Sequence, residues 1–186
     1  VAPVSLKNTL LDLIKEEIEK AKAGEETSIF LKMNSLTDRQ LIDALKEASQ
    51  AGVKIKMIIR GICCILPGIE GKTDNIEVIS VVGRFLEHSR IFCFGTGENM
   101  KMYIASADWM TRNTENRVEI AAPIYDQKIK NSIYDTLRIM WKDNLKARIL
   151  CSDGTYKKPE IKEGDELIDC QNYLRHEYKV GRKIKL

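Results

Sequence analysis

The segment Glu87-His88-Ser89-Arg90 places a histidine two residues before an arginine, at the entry to an apolar stretch. Side chains at positions i and i+2 of a strand share one side, so His88 and Arg90 project together if the strand begins that early. A histidine can attack phosphorus or transfer a proton near neutral pH, and an arginine can neutralise phosphate oxygens. A strand-entry histidine beside a surface ion pair explains the segment equally simply, and is the favoured explanation when the segment is taken alone.

Three other groups carry candidate phosphate-binding side chains at predicted strand ends. Ser106 lies in Ala105-Ser106-Ala107-Asp108-Trp109, where small residues allow close backbone approach to an anion. Arg60 is followed by Gly61, and ligands of α/β sheets bind at the carboxyl ends of parallel strands. Lys32 and Asn34 share one face of an earlier strand end. Each group also has a purely structural explanation, such as a tight turn or an exposed arginine.

Hydrophobic periodicity predicts the elements that position these residues. The predicted helices share apolar residues three or four positions apart, with Asp38 and Asp126 as caps, and cover residues 6–23, 38–52, 126–141 and, in the tail, 164–178. The predicted strands are rich in β-branched and aromatic residues and cover residues 27–33, 53–59, 76–82, 90–94, 100–106 and 117–123. The fifth and fourth of these form a hairpin, and the first two form a parallel pair around a helix. The fold class is therefore α/β, with a mixed sheet of roughly five to seven strands flanked by helices.

Composition bounds the class of protein. The 186 residues are 44% hydrophobic and 31% charged, with a net charge of +3, which is typical of a soluble globular domain. No apolar run approaches the roughly 20 residues of a membrane span, and no signal peptide is evident. The five cysteines form no C-x-x-C pair, so we expect reduced, mostly buried thiols rather than a zinc or disulfide site. The first residue is Val1, which suggests a processed protein or an excised fragment.

Together the four groups resemble one half of a phospholipase D-like active site, with its His-x-Lys, hairpin and Gly-Ser-x-Asn turn. The sequence departs from that pattern because Arg90 replaces the lysine and Gly95 stands where the aspartate would fall. Ala105 and Asp108 replace the glycine and the asparagine of the turn. These departures weaken a phosphodiesterase interpretation and indicate a divergent branch.

The chain is similar to the C-terminal domain of bacterial long-chain polyphosphate kinases over about residues 2–156. The similarity is carried by strings of matching order and spacing: Lys32-Met33-Asn34-Ser35-Leu36, Ile59-Arg60-Gly61-Ile62-Cys63, Val82-Gly83-Arg84-Phe85-Leu86-Glu87-His88-Ser89-Arg90-Ile91, Ser106-Ala107-Asp108-Trp109-Met110-Thr111-Arg112-Asn113 and Arg117-Val118-Glu119. Several of these strings are specific to that family.

The resemblance implies reversible transfer of the terminal phosphoryl group of ATP to inorganic polyphosphate, with magnesium, through a phosphohistidine in a preceding domain. His88 matches a second histidine that acts as an acid/base or phosphate-binding partner, and Arg60 matches an arginine that contacts nucleotide phosphates. Lys32, Asn34, Arg90, Ser106 and Arg112 are candidate members of the phosphate cradle from placement alone. No magnesium ligand is identifiable in this chain.

The resemblance also implies partners and an organisation. Residues 1–156 form the phospholipase D-like catalytic domain, and residues 157–186 form a basic, partly helical tail. We expect ATP or ADP, polyphosphate and the upstream domains of the same polypeptide as partners, in a homo-oligomer of the full-length enzyme. We expect no nucleic acid partner and a cytoplasmic location, peripheral to the inner membrane face at most. An isolated chain of this kind is expected to be catalytically incomplete.

Two other functions remain open at this point. A phosphodiesterase or nuclease could form when two copies of this half-site meet in a homodimer, and it would hydrolyse substrate without other domains. A non-catalytic module could bind nucleotide or polyphosphate without turnover. Asp108 and Glu119 either position the site or pair with Arg112 or Arg117, while Trp109 is expected to pack in the core.

Overall fold

The computed structural model describes residues 1–179. Its eight strands are β1 (Ser28–Met33), β2 (Lys54–Ile59), β3 (Ile76–Val81), β4 (Arg90–Phe94), β5 (Lys101–Ala105), β6 (Ala121–Ile124), β7 (Ala147–Leu150) and β8 (Tyr156–Lys157). The helices are α1 (Leu6–Lys22), α2 (Arg39–Gln50), α3 (Thr111–Glu115), α4 (Gln127–Trp141) and α5 (Cys170–Lys179). The α/β class and the flanking helices are confirmed.

The strands form one mixed sheet in the order β6-β5-β4-β1-β2-β3-β7-β8. The pairs β1–β2 and β2–β3 are parallel, which confirms the predicted pairing around α2. All the other neighbouring pairs are antiparallel, including the predicted hairpin of β4 and β5. The carboxyl ends of β1, β2, β3 and β5 therefore meet at one edge of the sheet, together with the starts of β4 and β6. We call this the candidate-site edge, because every candidate site residue lies at one of these strand ends or in a segment next to it.

Several predicted boundaries were wrong. The sheet has eight strands rather than the predicted five to seven. The strands β7 and β8 near the C-terminus were missed because they are too short to show a period. The strand predicted for residues 117–123 is β6, which begins only at Ala121. The chain is helical from Thr111 to Glu115 and bends at residues 116 and 117, so the strand starts later than predicted. The tail helix starts at Cys170 rather than at residue 164. The division of the chain at residue 156 stays a prediction. Three basic residues of the predicted tail, Arg182, Lys183 and Lys185, lie outside the described residues.

Local sequence explains where the long helices begin. The Asp38 carboxylate accepts hydrogen bonds from the backbone N–H groups of Gln40 and Leu41, and so satisfies free donors at the start of α2. Asp126 caps α4 in the same way through Ile129. Both caps confirm the sequence prediction. Gly52 follows α2 with a φ of 97°, a conformation that favours glycine after a helix.

A buried core lies on each face of the sheet. The first contains α1, α2 and Trp109 against alternate residues of the central strands: Ile29, Leu31, Met33, Ile55, Met57, Ile59 and Phe92. The second contains Leu137 of α4 and Cys170 of α5 against the opposite residues: Phe30, Ile58, Val81, Ile91 and Cys93. Trp109 is fully buried, as expected. Burial on both faces fixes the strand register, and with it the side on which each residue of the candidate-site edge projects.

The cysteines and the helices bear on two composition-based expectations. All five cysteines are free, but only Cys93 and Cys170 are fully buried, and Cys64 is exposed. The expectation of mostly buried thiols was therefore wrong for the loop after β2 and for Cys151. Among residues 1–179, no helix combines the length and the apolar character needed to cross a membrane.

Candidate functional site

Arg90, the first residue of β4, joins His88 to Asp108. Its Nε lies 3.3 Å from Asp108 Oδ1 and its Nη2 lies 3.0 Å from Oδ2, so the guanidinium meets the carboxylate at two points. On its other side, Nη1 lies 3.1 Å from His88 Nδ1 and Nη2 lies 3.3 Å from Nε2. The condition that would let His88 and Arg90 project from one strand is not met, because β4 begins only at Arg90. The contacts of the Arg90 guanidinium nevertheless bring the two side chains together. The imidazole is exposed, while the ion pair behind it is largely buried.

Asp108 is held by the backbone that follows β1. Its Oδ1 accepts hydrogen bonds from the N–H groups of Asn34 at 2.6 Å and Ser35 at 3.3 Å. Burial alone would raise the pKa of Asp108, but the hydrogen bond from Arg90 and those from the backbone outweigh it, and the pKa is lowered. The carboxylate is therefore a fixed negative charge that orients Arg90. Of the two roles left open for Asp108, the structure shows the contact with Arg90 and not an ion pair with Arg112 or Arg117 in the described part of the chain.

Lys32 is buried at the end of β1, beneath the segment that carries His88. Its Nζ donates to Ser89 Oγ at 2.9 Å and to the Ser89 carbonyl at 3.2 Å, and lies 3.5 Å from Glu87 Oε2. Burial lowers the pKa of Lys32, and the positive charge of Arg60 lowers it further, against the opposing effect of Glu87. The ammonium thus contacts both neighbours of His88 from the interior of the sheet.

Arg60 directly follows β2, the strand paired with β1. Its N–H donates to the Met33 carbonyl at 3.3 Å, and its own carbonyl accepts from Ser80 Oγ at 3.2 Å. Its Nη1 is buried and has no hydrogen-bond partner among residues 1–179. A buried guanidinium nitrogen without an acceptor is costly, and an anion bound here would satisfy it. Asn34 has a similarly unpartnered buried Oδ1 within the described residues.

Ser106 and Arg112 lie farther along the same edge. Ser106 is exposed, donates a short hydrogen bond to Glu119 Oε2, and accepts one from the Ile120 N–H at 3.1 Å. Asn113 Nδ2 donates to Glu119 Oε1 at 3.0 Å, so Glu119 links Ser106 to α3. Arg112 is exposed on α3, with no ion pair in the part of the chain that the structure describes.

The carboxylates of this edge do not form a metal site. Across residues 1–179, no group of three or more His, Cys, Asp or Glu side chains lies close enough to hold a metal ion. Asp108 is already bound by Arg90 and Glu119 by Ser106 and Asn113. The residues present therefore do not fit a magnesium ion held by this chain alone.

Sequence reasoning missed Gln171, the second residue of α5. Its side-chain amide is 6% exposed and contacts the segment before His88 through hydrogen bonds to Phe85 and Glu87. It lies 86 residues from Phe85 in the chain, in a tail without strong periodicity. The only local signal was Gly83, whose lack of a side chain permits the close approach of Gln171.

The strand order and the flanking helices form a phospholipase D-like fold. The crystal structure of a phospholipase D family member, Nuc from Salmonella typhimurium, superposes with a TM-score of 0.54 over 82% of this chain and 91% of that one. The sequence identity is 16%, so this similarity shows the fold alone. The predicted phospholipase D-like architecture is confirmed.

Relatives with higher sequence identity identify the family of this chain. The family model described as polyphosphate kinase C-terminal domain 2 matches residues 1–171, and the chain belongs to that family. A polyphosphate kinase of Thermosynechococcus vestitus is 50% identical over 165 residues, covering 89% of this chain and 22% of the relative. The crystal structure of polyphosphate kinase from Porphyromonas gingivalis is 38% identical with a TM-score of 0.89, covering 95% of this chain and 27% of that one. The chain thus spans about a quarter of the length of these relatives, and the predicted family is confirmed.

Proposed function

We propose that this chain supplies one half of a site that transfers the terminal phosphoryl group of ATP, reversibly, to inorganic polyphosphate. The other half comes from upstream domains of the same polypeptide and carries the histidine that becomes phosphorylated. Family membership supports the proposal, because the relatives are polyphosphate kinases of about four times this length. The proposal includes a cytoplasmic homo-oligomer without a nucleic acid partner.

The observation that carries the proposal is the exposed imidazole of His88 against a guanidinium that a buried carboxylate holds from behind. Phosphoryl transfer depends mainly on positioning and on neutralising charge on the phosphoryl oxygens. A rigidly oriented arginine next to a histidine meets both needs, since the positive charge of the arginine neutralises nearby phosphate oxygens and the histidine hydrogen-bonds or transfers a proton. This pair is the part of the site that needs no other domain to form.

Each candidate residue has a proposed role. In the forward direction, the upstream histidine attacks the γ-phosphorus and ADP leaves; the phosphohistidine then passes the group to a terminal oxygen of polyphosphate and the free histidine returns. His88 is the acid/base or phosphate-binding partner, and Arg60 binds nucleotide phosphates through the side of its guanidinium that lacks a protein acceptor. Arg90, Asn34, Ser106 and Arg112 belong to the phosphate cradle, and Lys32 adds positive charge from beneath.

Magnesium belongs to the proposal only at the level of the complete enzyme. Mg²⁺ is commonly held by substrate phosphates and one or two carboxylates rather than by a protein cage. The carboxylates of this edge are engaged elsewhere, so no step is assigned to a metal on this chain.

The phosphodiesterase alternative fits the edge less well. Gly95, which stands where the superfamily aspartate would fall, has a φ of 87°, and a Cβ there would lie 3.5 Å from the Glu17 carboxylate. An aspartate at this position would therefore be strained and would face a buried negative charge. Arg90 is also committed to Asp108, whereas the lysine it replaces is a point charge with different geometry.

The test measures ATP consumption and polyphosphate formation by this chain alone and by this chain mixed with the upstream domains. We expect product only in the mixture, and a loss of about 100-fold or more in His88→Ala, the usual size of an acid/base contribution. His176→Ala is the matched control, because the only other histidine is exposed on α5. Hydrolysis of phosphodiesters by the chain alone would favour the homodimeric phosphodiesterase. Full turnover in His88→Ala would favour a binding module.

A further inference from the structure

The segment between β3 and β4, which carries His88, lacks the backbone hydrogen bonds that usually fix a main chain. In the described part of the chain, residues 83–88 make no backbone-to-backbone hydrogen bond and belong to no helix or strand. Four of these six residues, Arg84, Phe85, Leu86 and His88, are exposed. Side chains from elsewhere must therefore fix the main chain at this place.

The Gln171 side chain makes the pair of backbone hydrogen bonds that a neighbouring strand would otherwise make with Phe85. Its Oε1 accepts a hydrogen bond from the Phe85 N–H at 2.9 Å, and its Nε2 donates to the Phe85 carbonyl at 2.8 Å. The same Nε2 lies 3.0 Å from Glu87 Oε1. One buried amide thus satisfies both backbone groups of Phe85 and also contacts the residue immediately before His88.

Lys32 holds the other side of the histidine. It contacts Glu87 and donates to the hydroxyl and carbonyl of Ser89, while Arg90 donates to the His88 carbonyl at 2.9 Å. Glu87 is the shared element, because one of its oxygens meets Gln171 and the other meets Lys32. The backbone on both sides of His88 is consequently tied to the interior of the domain.

Gly83 makes room for this arrangement. A Cβ at Gly83 would lie 2.4 Å from Gln171 Oε1 and 2.8 Å from Cδ, far inside ordinary contact distance. The clashing atoms are the end of a flexible side chain, so an alanine at position 83 would displace the Gln171 amide rather than prevent folding. Such a displacement would break the two hydrogen bonds to Phe85 while leaving Gln171 in the sequence.

We propose that Gln171 is a positioning residue for the reaction: its amide holds the segment of residues 83–88 so that His88 faces the phosphate site. This inference rests on the proposed function and deepens it, by giving the C-terminal helix a part in the catalytic geometry. Phosphoryl transfer tolerates little misplacement, since a shift of about 1 Å at a reacting group can reduce the rate about 100-fold. Gln171 does not touch the reacting atoms and acts only through the backbone of the His88 segment.

The experiment uses the complete polypeptide and two independent measurements. In Gln171→Ala we expect kcat to fall about 10-fold or more with KM for ATP within about 2-fold, because orientation is lost and nucleotide contacts are kept. We also expect hydrogen exchange at the Phe85 amide to accelerate, since its acceptor is gone. Arg175→Ala, an exposed site on the same helix, is the control and should leave both measurements unchanged.

Gly83→Ala distinguishes positioning from a general role of α5 in packing. It lies outside α5, yet it should reproduce the fall in kcat and the faster exchange at Phe85. The double variant Gly83→Ala/Gln171→Ala should be no worse than either single variant, because both act on one contact. Unchanged kcat in Gln171→Ala, or multiplicative losses in the double variant, would overturn the inference. If the wild-type polypeptide lacks phosphotransfer, the proposed function fails, whereas faster exchange in both variants would still support the hold on the His88 segment.

Discussion

Arg90 and Asp108 form a two-point ion pair, and the guanidinium uses its remaining surface to contact both ring nitrogens of His88. The carboxylate is in turn fixed by backbone N–H groups after β1. Three strands of the sheet are thus represented in one short chain of contacts: β1 through Asn34 just after it, β4 through Arg90 and its neighbour His88, and β5 through Asp108 beyond its end. The orientation of an exposed histidine thus depends on a buried carboxylate and on the backbone that holds it.

Asp108→Asn tests this dependence. The amide keeps the size of the side chain but removes the charge that orients Arg90, and loss of such a supporting contact typically costs about 10- to 100-fold in activity. We expect phosphotransfer by the complete polypeptide to fall within that range while the far-ultraviolet circular dichroism is unchanged. Asp126→Asn, which retains a helix cap, is the control. Wild-type turnover in Asp108→Asn would show that Arg90 needs no fixed counter-charge.

Arg60 should control the affinity for nucleotide. Arg60→Ala removes a guanidinium with a buried unpartnered nitrogen, so we expect KM for ATP to rise about 10-fold or more, since a charge-assisted hydrogen bond is worth about 1.5–3 kcal/mol. Arg60→Lys should recover only part of the loss, because an ammonium cannot form the two-point contact with phosphate. Arg39, whose side chain is 94% exposed on α2, provides the control Arg39→Ala. A KM for ATP that does not change in Arg60→Ala would remove Arg60 from the nucleotide site.

Lys32→Met separates the support of His88 from global stability. Methionine fills the same space without the buried charge, and Glu87 stays partly exposed and hydrogen-bonded to Gln171, so the melting temperature should change little. Turnover should still fall, because Ser89 and Glu87 lose their shared contact. Lys56→Met is the matched control: Lys56 lies on the adjacent strand over the Trp141 ring, at 5.1 Å from its centroid, and away from the candidate-site edge. Equal turnover in the two variants would contradict a role for Lys32 at the site.

Acid should weaken the hydrogen bonds by which Asp143 holds the start of α5. Burial tends to raise the pKa of Asp143, but hydrogen bonds from the N–H groups of Cys170, Lys146 and Ala147 outweigh it and lower the pKa. A carboxyl with a lowered pKa in the folded state stabilises the fold above its unfolded pKa of about 3.9, and that contribution disappears as the pH falls through the folded value. Asp143→Asn should therefore reduce the free energy of unfolding at pH 7 by about 1–3 kcal/mol, and by less at pH 3.

Urea denaturation at both pH values measures this difference. Asp12→Asn is the control, because Asp12 is exposed on α1. A deficit in Asp143→Asn that is the same at pH 3 and pH 7 would mean that the charge of Asp143 is not what holds the four N–H groups it accepts from.

The sequence was sufficient wherever a local pattern decides the structure. Asp38 and Asp126 were predictable as caps because each precedes a helical period, and β4 and β5 were predictable as a hairpin because apolar segments flank glycines. His88 and Arg90 were predictable as neighbours because only one residue separates them. The strands β7 and β8 were not predictable, since four and two residues are too few to show a period.

The contacts that orient the site could not be predicted, for a different reason. Arg90 and Asp108 are 18 residues apart, and Gln171 and Phe85 are 86 apart. Such pairs depend on strand order and on how the last helix packs, and neither residue type reveals its partner. Asp108 could be considered as a supporting residue, but its partner was sought in Arg112 or Arg117 rather than in Arg90.

The hold of α5 on Phe85 has a consequence during protein synthesis. A ribosome adds residues from the N-terminus at about 5–20 per second, so the 86 residues that separate Phe85 from Gln171 take about 4–17 s to make. Once Ile124 has been made, all the strands from β1 to β6 are present, but the peptide group of Phe85 still has no amide to bind until Gln171 follows 47 residues later. The nascent domain can therefore form most of its sheet before the segment that carries His88 is held, and the emergence of α5 completes that contact.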